Sequence, residues 1–390
     1  MHFQRQEYDI VVVGAGPAGS RFAASMAGKN RVLLLEENFE VGKPVQCSGL
    51  VSPRVMEMSG LRSWHNVIDS VKFYSPSGNE FSLSGNEPKG YVIDRSGLDI
   101  RLAERAARAG AEIVLGASFT GAERMDEQLV VSFNHGGEAK KVGCRLLIGA
   151  DGMSSSVSRT FRLAKYTEIV PCVQTDAFAG ELNRGDAVRL YFGRDIAPGF
   201  FAWVIPAGDF ARIGLGTTGT VVPASHYFEL FLKKLGVKRT LNVTAGPIPL
   251  GNRGRMVDDG VMLIGDSAGQ AKPISGGGIF TGMAAADIAA KIASEALESG
   301  DLGRGYLSRY EREWRRGIGK ELERAALVRR IFLEMDDRHL DSLFRTLGES
   351  TLMDILSRGD IDFPTELSPL VLSRAPGLLR YSPQLIRALL

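Results

Sequence analysis

The sequence predicts an α/β protein: a Rossmann-like nucleotide-binding domain, an inserted antiparallel β-sheet domain and an α-helical C-terminal part. Three observations predict it. First, an apolar, β-branched run over residues 8–13 leads into Gly14, Gly16 and Gly19 in G-x-G-x-x-G spacing, then a small-residue helix, then a second apolar run over 31–35 that ends at Glu36. Second, another apolar run followed by a glycine-rich turn recurs at 261–279. Third, residues 168–222 between them alternate like strands of a second sheet, whereas the chain beyond about residue 306 is helical and charged.

Each part of the first unit has a physical job. Gly14 permits a tight turn, Gly16 lets a pyrophosphate approach backbone that has no Cβ, and Gly19 lets the helix lie against the strand. The helix start offers free N–H groups and the positive end of its dipole to phosphates. Glu36 can accept hydrogen bonds from ribose hydroxyls, and its charge disfavours a 2′-phosphate. This unit alone does not separate NAD from FAD.

Further along, Gly42, Pro44, Ser48 and Gly49 mark a loop, with an amphipathic segment after it near 51–61. Residues 67–74 and 80–83 read as strands around a turn, and 91–94 as another. Leu98, Leu102, Ala106 and Ala109 give 95–110 a helical period, stopped by Gly110. Residues 112–115 read as a strand, and 117–143 as a small meander turning at 135–137. The buried run 145–150 leads into Asp151-Gly152 and a helix start in serines 154–156. Strands over 170–178, 188–192, 200–205 and 211–216 precede a helix over 225–236; a strand at 261–264 precedes a small-residue helix from 279 to about 297. This divides the chain into a discontinuous nucleotide-binding domain (1–66, 91–165 and 250–305), a β-rich substrate domain (67–90 and 166–249) and a C-terminal helical region (306–390).

The 390 residues suit two or three domains, and a net charge of +2 without Lys/Arg blocks argues against nucleic acid. Cys47, Cys144 and Cys172 lie far apart, and an odd count argues for a reducing interior rather than a disulfide framework. Five scattered histidines predict no metal site. No apolar run approaches the ~20 residues of a membrane span. The expectation is a soluble, cytoplasmic protein, or one peripheral to the cytoplasmic membrane face.

Residues 263–279, LIGDSAGQAKPISGGGI, point to FAD. Asp266 follows a strand and can bind sugar-alcohol hydroxyls. Gly276, Gly277 and Gly278 leave N–H groups free at a helix start, which suits the negative charge of a reduced flavin. An NAD site needs one such turn, while the longer FAD can use both. The order of these motifs resembles the FAD-dependent hydroxylase-type superfamily. Within it, GKPVQCSG at 42–49 resembles the Gly-x-Pro-x-x-Cys loop of geranylgeranyl reductases, especially the archaeal digeranylgeranylglycerophospholipid reductase type. APGFFAWVIPAGDFARIGLG at 197–216 resembles that family's (Tyr/Phe)-x-Trp-x-Phe-Pro lipid-pocket motif, with Phe201, Trp203 and Pro206 matching and Ile205 at a usually aromatic position. The resemblance covers about residues 7 to 300. It implies FAD contacts at Ala18, Gly19, Glu36, Cys47, Ser48, Gly49, Arg95, Asp266, Gly278 and Ile279, with a backbone contact near Ser118. Gln46 stands where relatives often carry a basic residue.

The implied reaction is reduction of isolated C=C bonds in isoprenoid lipid precursors, with ferredoxin, F420H2 or NADPH as electron donor. Phe201, Trp203, Ile205 and Pro206 would bind substrate, or serve as ordinary sheet core. Cys47 is the candidate catalytic residue, as proton donor or redox partner; the alternative is a small buried side chain. Ala325, Val328, Phe332 and Met335, with Arg324, Arg329 and Arg330 nearby, would either dock on a membrane or pack on the body, and packing is the preferred reading. Two rival functions stand beside this one: a flavin monooxygenase or halogenase, and a flavin- or lipid-binding protein without turnover. The halogenase pattern has tryptophans two apart before Ile-Pro, and Phe201 replaces the first.

Overall fold

The computed structural model describes residues 7–381 apart from 86, 126, 127 and 179. Glu7–Val13 forms the centre of an eight-stranded sheet, with Val32–Glu36 on one side and Glu138–Gly149 on the other, all parallel. Glu112–Leu115 and Val261–Leu263 extend it on either flank. Ile10, Val11 and Val12 are fully buried, which explains why this strand reads as an unbroken apolar run. Pro17–Met26 packs between Arg95–Arg108 and Ile279–Ser299 on the sheet. Glu138–Gly149 serves two pairings. Its first half joins the antiparallel meander of Ala117–Met125 and Gln128–His135, and its second half runs parallel to the first strand.

The second sheet has seven strands, in the order Thr240–Asn252, Tyr166–Ala177, Phe210–Gly216, Ala202–Ala207, Ala187–Tyr191, Ser70–Tyr74 and Glu80–Ser84. Three features correct the sequence reading. Thr240–Asn252, 13 residues long, was not anticipated, because Gly246, Pro247 and Pro249 break its pattern. The sheet is not wholly antiparallel: Ser70–Tyr74 pairs parallel with Ala187–Tyr191, since the chain crosses the first domain between them. The run from 67 splits at Asp69, and Asn66–Ile68 joins Gly90–Val92 and Leu50–Val51 in a small third sheet.

The two faces of the second sheet differ. On the outer face Val173, Ala177, Val204 and Ile213 pack beneath Phe228 and Phe231 of the helix Ala224–Lys234. On the inner face Val170, Trp203 and Ile205 meet Leu250 and Ala271, which belong to the approach to the cofactor-type domain.

The C-terminal helices tie both domains together. Arg304–Arg316 buries Leu307, Tyr310 and Trp314 on the first domain. The Tyr310 hydroxyl donates to the Leu263 carbonyl (3.1 Å) and accepts from Gln270 Nε2 (2.7 Å). Ile318–Leu333 crosses to the second domain, where Arg329 donates to both Glu168 oxygens (2.7 and 2.6 Å) and lies over the Phe200 ring. Arg329, Ala325 and Met335 are therefore buried in the body, while Val328 stays exposed. Phe344 meets Phe73, Phe81 and Phe192 edge-on. Among the described residues no helix is long and apolar enough to cross a membrane.

Arg329 is 5% exposed, so removing it would strand a largely buried Glu168 carboxylate. Arg329→Ala is expected to lower the unfolding free energy by about 3 kcal/mol, read as a lower Tm, with partial recovery in Arg329→Lys.

Candidate functional site

The three glycines of the first turn differ in what surrounds them. Gly14 has φ +100°, and a Cβ there would run into the Ala150 carbonyl. A Cβ on Gly19 would strike the Gly14 carbonyl and the Ala150 methyl. Gly16 faces open space, with nothing within 4 Å of a Cβ position. The turn is thus tight on its inner side and vacant where a diphosphate would sit. Glu36, 8% exposed, accepts from the Ala15 N–H (2.8 Å) and from the Asn38 N–H (3.0 Å) and amide (2.8 Å). It braces the turn as well as offering a carboxylate to a ribose. The Asn38 carbonyl accepts from Gly116 N–H, which brings the strand carrying Ser118 to the same end. Asp151 of the Asp-Gly pair accepts from Ser155 Oγ and the Ser156 and Val157 N–H groups, so it holds the start of Ser156–Phe161.

The second turn meets the first directly. The Ala18 methyl lies 3.2 Å and 3.5 Å from where side chains on Gly265 and Gly282 would begin. Asp266 follows Val261–Leu263, and its carboxylate oxygen would meet a Cβ on Gly278 at 2.8 Å. No described residue donates a hydrogen bond to that carboxylate. Lys272 N–H donates to the Gly277 carbonyl (3.0 Å) and Gly276 N–H to the Lys272 carbonyl (2.8 Å), closing the loop just before Ile279–Ser299. Gly278 caps that helix without a side-chain acceptor, so its first N–H groups are available to an anion. Lys272 Nζ in turn pairs with Asp362 (2.8 Å) and donates to the Ile361 carbonyl (3.0 Å), while Asp362 also faces Arg54 at 3.6 Å.

Arg95 stands between the two turns. Its guanidinium lies 3.0 Å from Asp99, one helical turn on. Its Nε is buried without a partner among the described residues. Burial works against its charge, but Asp99, Cys47 and Asp266 more than offset this and raise its pKa. Burial pushes the Asp99 carboxyl up to about 6, against the opposing pull of Arg95. Asp266 is likewise raised by burial, with Arg95 working against it.

The loop bearing Cys47 is fixed by the inner face of the second sheet. Gln174 Nε2 donates to the Cys47 carbonyl (2.9 Å), and Arg212 Nη1 to the Ser48 carbonyl (2.7 Å). Arg212, 8% exposed, is held in a bidentate pair with Asp176 (2.7 and 3.1 Å). Cys47 Sγ accepts from Gly49 N–H at 3.4 Å, and Gly49, at φ +68°, has no room for a side chain against Arg212 and Ile93. Trp203 lies beside Gln174: a Cβ on Gly214 would strike both the Trp203 ring and the Gln174 Cβ. The indole N–H of Trp203 is buried and has no partner among the described residues. Phe201 precedes the strand, stacks on Phe200 (4.2 Å between centroids) and lies 6.0 Å from Trp203. Ile205 shares the face of Trp203. Pro206 does not: its parity places it with Val204 on the other side, and its carbonyl accepts from Asn66.

The structure therefore brings Gly14, Gly16, Ala18, Gly19 and Glu36 together with Asp266, Gly276, Gly277, Gly278 and Ile279, with Arg95 between. Asp99, Gln174, Asp176, Arg212 and Lys272 were not foreseen. The signal for Gln174 and Asp176 was a pair of polar residues at alternate positions, on the same strand face as Val170 and Cys172. An open cradle at Gly16, an orphaned N–H on a buried cation and an uncapped helix start all suit a long, anionic cofactor, and FAD fits this donor set.

Comparison with known proteins agrees. Residues 7–174 match the family model of the FAD binding domain. The chain is 33% identical to digeranylgeranylglycerophospholipid reductase 2 of Methanopyrus kandleri, over 98% of this chain and 100% of that one. It is 37% identical to digeranylgeranylglycerophospholipid reductase 2 of Methanothermobacter thermautotrophicus, over 90% and 94%. Among solved structures, a geranylgeranyl bacteriochlorophyll reductase-like protein of Thermoplasma acidophilum superposes with a TM-score of 0.85 at 25% identity, covering 96% of this chain and 99% of that one. The chain is an FAD-dependent oxidoreductase and belongs to the digeranylgeranylglycerophospholipid reductase family.

Proposed function

We propose that this protein saturates C=C bonds of geranylgeranyl chains in an ether-lipid precursor. The observation that carries the reading is the apolar wall of Phe200, Phe201, Trp203 and Ile205, brought up to the Cys47 loop by Gln174. Bound and reduced, FAD supplies hydride; the chain's residues do the rest. The wall holds an alkene that has no polar handle and excludes water from it. Gln174 and Arg212 fix the Cys47 and Ser48 carbonyls, so the loop keeps one shape against the cofactor. Cys47 carries an exchangeable thiol proton at that loop and is the candidate donor to the second carbon. Arg95 and the start of Ile279–Ser299 would hold the cofactor's anionic groups, and Glu36 its ribose. An electron donor must then return two electrons per bond reduced; ferredoxin, F420H2 and NADPH all remain compatible. The substrate's hydrophobicity favours peripheral contact with a membrane.

The direct test is anaerobic. Chemically reduced holoenzyme is mixed with a geranylgeranyl-bearing lipid, and flavin reoxidation is followed beside mass spectrometry of the lipid. One H2 gained per bond, in step with reoxidation, supports the reading. Reoxidation that waits for oxygen favours the monooxygenase class instead. Trp203→Ala is expected to retain FAD and lower kcat/KM at least tenfold, chiefly through a raised KM.

Gly16 has φ −67° and open space around it, so alanine fits the apo fold. Gly16→Ala should leave the unfolding free energy of the apoprotein within about 0.5 kcal/mol of wild type while weakening FAD binding, titrated by fluorescence, on the order of 100-fold. Gly19→Ala should instead fail in stability before cofactor is added.

Ionised Asp99 opposes the binding of an anionic cofactor and compensates Arg95. Protonation removes that opposition. FAD affinity should therefore rise as pH falls through about 6, by roughly threefold to tenfold. In Asp99→Asn this step should vanish and affinity should stay at the low-pH level throughout.

A further inference from the structure

We infer that the free edge of the second sheet, on its outer face, docks on an anionic lipid bilayer. The inference rests on the lipid-substrate reading above and says where that substrate is collected.

The register of the two outermost strands defines the face. Ile169, Pro171, Val173 and Thr175 pair with Pro249, Pro247, Ala245 and Val243. Their side chains share the face that the helix Ala224–Lys234 covers, but that helix seals only the part around Val173 and Ala177. Beyond it the face is bare. Leu241 is 50% exposed, Val243 57% and Ile169 46%, and Phe178, at the end of the neighbouring strand, is 62% exposed. Pro171, Ala245 and Pro247 between them are exposed as well. Scattered apolar residues need no explanation, whereas a ladder of them across two paired strands does.

The flank of this ladder is basic. KKLGVKR at 233–239 holds Lys233, Lys234, Lys238 and Arg239 with no acid among them, in a chain whose net charge is only +2. All four are exposed, and none pairs with a carboxylate among the described residues. Phe178, Lys238 and Arg239 line one surface hollow, so cations and apolar side chains share a single corner. Apolar groups bordered by unpaired cations suit the interface of an anionic bilayer, where each contributes separately.

Two other features favour a membrane over a second copy of the chain. Edge-to-edge pairing would bring two such cation clusters together. Pro247 and Pro249 carry no N–H, which blunts the strand as a template for another strand. The strand edge that borders this face also reaches the cofactor loop, which lies on the inner side: Gln46, packed against Gly246, donates from Nε2 to the Ala245 carbonyl at 3.0 Å, one residue before Cys47. A lipid leaving the bilayer along this edge meets the loop that carries the candidate proton donor.

Flotation of the holoenzyme with vesicles tests this. Wild type should float with mixed phosphatidylglycerol–phosphatidylcholine vesicles, less so at high salt, and not with phosphatidylcholine alone. Lys238→Gln with Arg239→Gln should weaken binding about 30-fold. Leu241→Glu with Val243→Glu should abolish it, whereas Val328→Glu on the C-terminal helix should not change it. Should the glutamate pair fail to fold, judged by flavin absorbance, the glutamine pair alone decides. Both pairs should reduce detergent-dispersed geranylgeranyl lipid as wild type does and lose turnover on the same lipid embedded in anionic vesicles. Wild type that ignores anionic vesicles, or both pairs binding like wild type, overturns the docking face. So does a dimer by light scattering that the Leu241 change dissolves. Loss of turnover on detergent-dispersed lipid in wild type itself would instead sink the reductase reading and leave the flotation result to stand or fall separately.

Discussion

Two helix starts, one from each end of the cofactor domain's sequence, must reach one ligand, and the chain achieves this by keeping their direct contact to glycine and alanine. Gly265 and Gly282 face the Ala18 methyl of the first helix, 3.2 Å and 3.5 Å from where their own side chains would begin. Gly14, Gly19 and Ala150 are packed with equal economy on the strand side. Overpacking at such contacts costs about 1–3 kcal/mol and moves backbone rather than rotamers. The burial of Ile10–Val12 and the crossing of Pro17–Met26 over Ile279–Ser299 both depend on that closeness. The Rossmann-type sheet is therefore a device for aligning two turns far apart in sequence.

Charge inside the site is deliberately incomplete. Arg95 serves both Asp99 and Asp266, neither acid has a full set of donors, and one Arg95 N–H has no acceptor. A buried polar group without a partner costs about 1–3 kcal/mol. Such a cost persists only where something repays it, and a bound anionic cofactor does. Cofactor binding and folding stability are then linked, because a ligand that binds only the native chain stabilises it. By contrast each guanidinium nitrogen of Arg212 has an acceptor, in Asp176 or the Ser48 carbonyl. The part of the site that shapes a loop is finished without ligand, and the part that grips the ligand is not.

This distinction also explains what could be read from the sequence. The glycine spacing, the acid at Glu36 and the second glycine turn were legible because their geometry is local: each requirement falls on a residue within a few positions of a strand end. The core of the sheet was legible for the same reason, as apolar runs. Gln174, Arg212 and Lys272 were not legible, because their partners lie 36 to 164 positions away and only the fold selects them. Thr240–Asn252 was hidden by prolines that an edge strand tolerates and a central one would not. Ser70–Tyr74 alternates as an antiparallel strand would, and nothing in one strand records which neighbour it takes. Pro206 sits in a motif with Trp203, yet strand parity places the two on opposite faces.

The C-terminal region carries no motif, but it is where the separate parts become one machine. Asp362 reaches Lys272 on the second cofactor turn, Arg329 reaches Glu168 on the second sheet, and Phe344 caps the aromatic cluster of Phe73, Phe81 and Phe192. Buried ion pairs such as these add little net stability over a hydrophobic replacement, because desolvation consumes most of the attraction. Their geometry is nevertheless exacting, since a displaced partner leaves an unpaired buried charge. They are better understood as registration than as glue. With Lys272 held, the 272–277 turn keeps its shape; with Arg329 held, Phe200 keeps its place behind Phe201. Cofactor turn and apolar wall are thus positioned by one covering layer, so the spacing between Lys272 on the turn and Phe200 in the wall depends on C-terminal segments that belong to neither sheet.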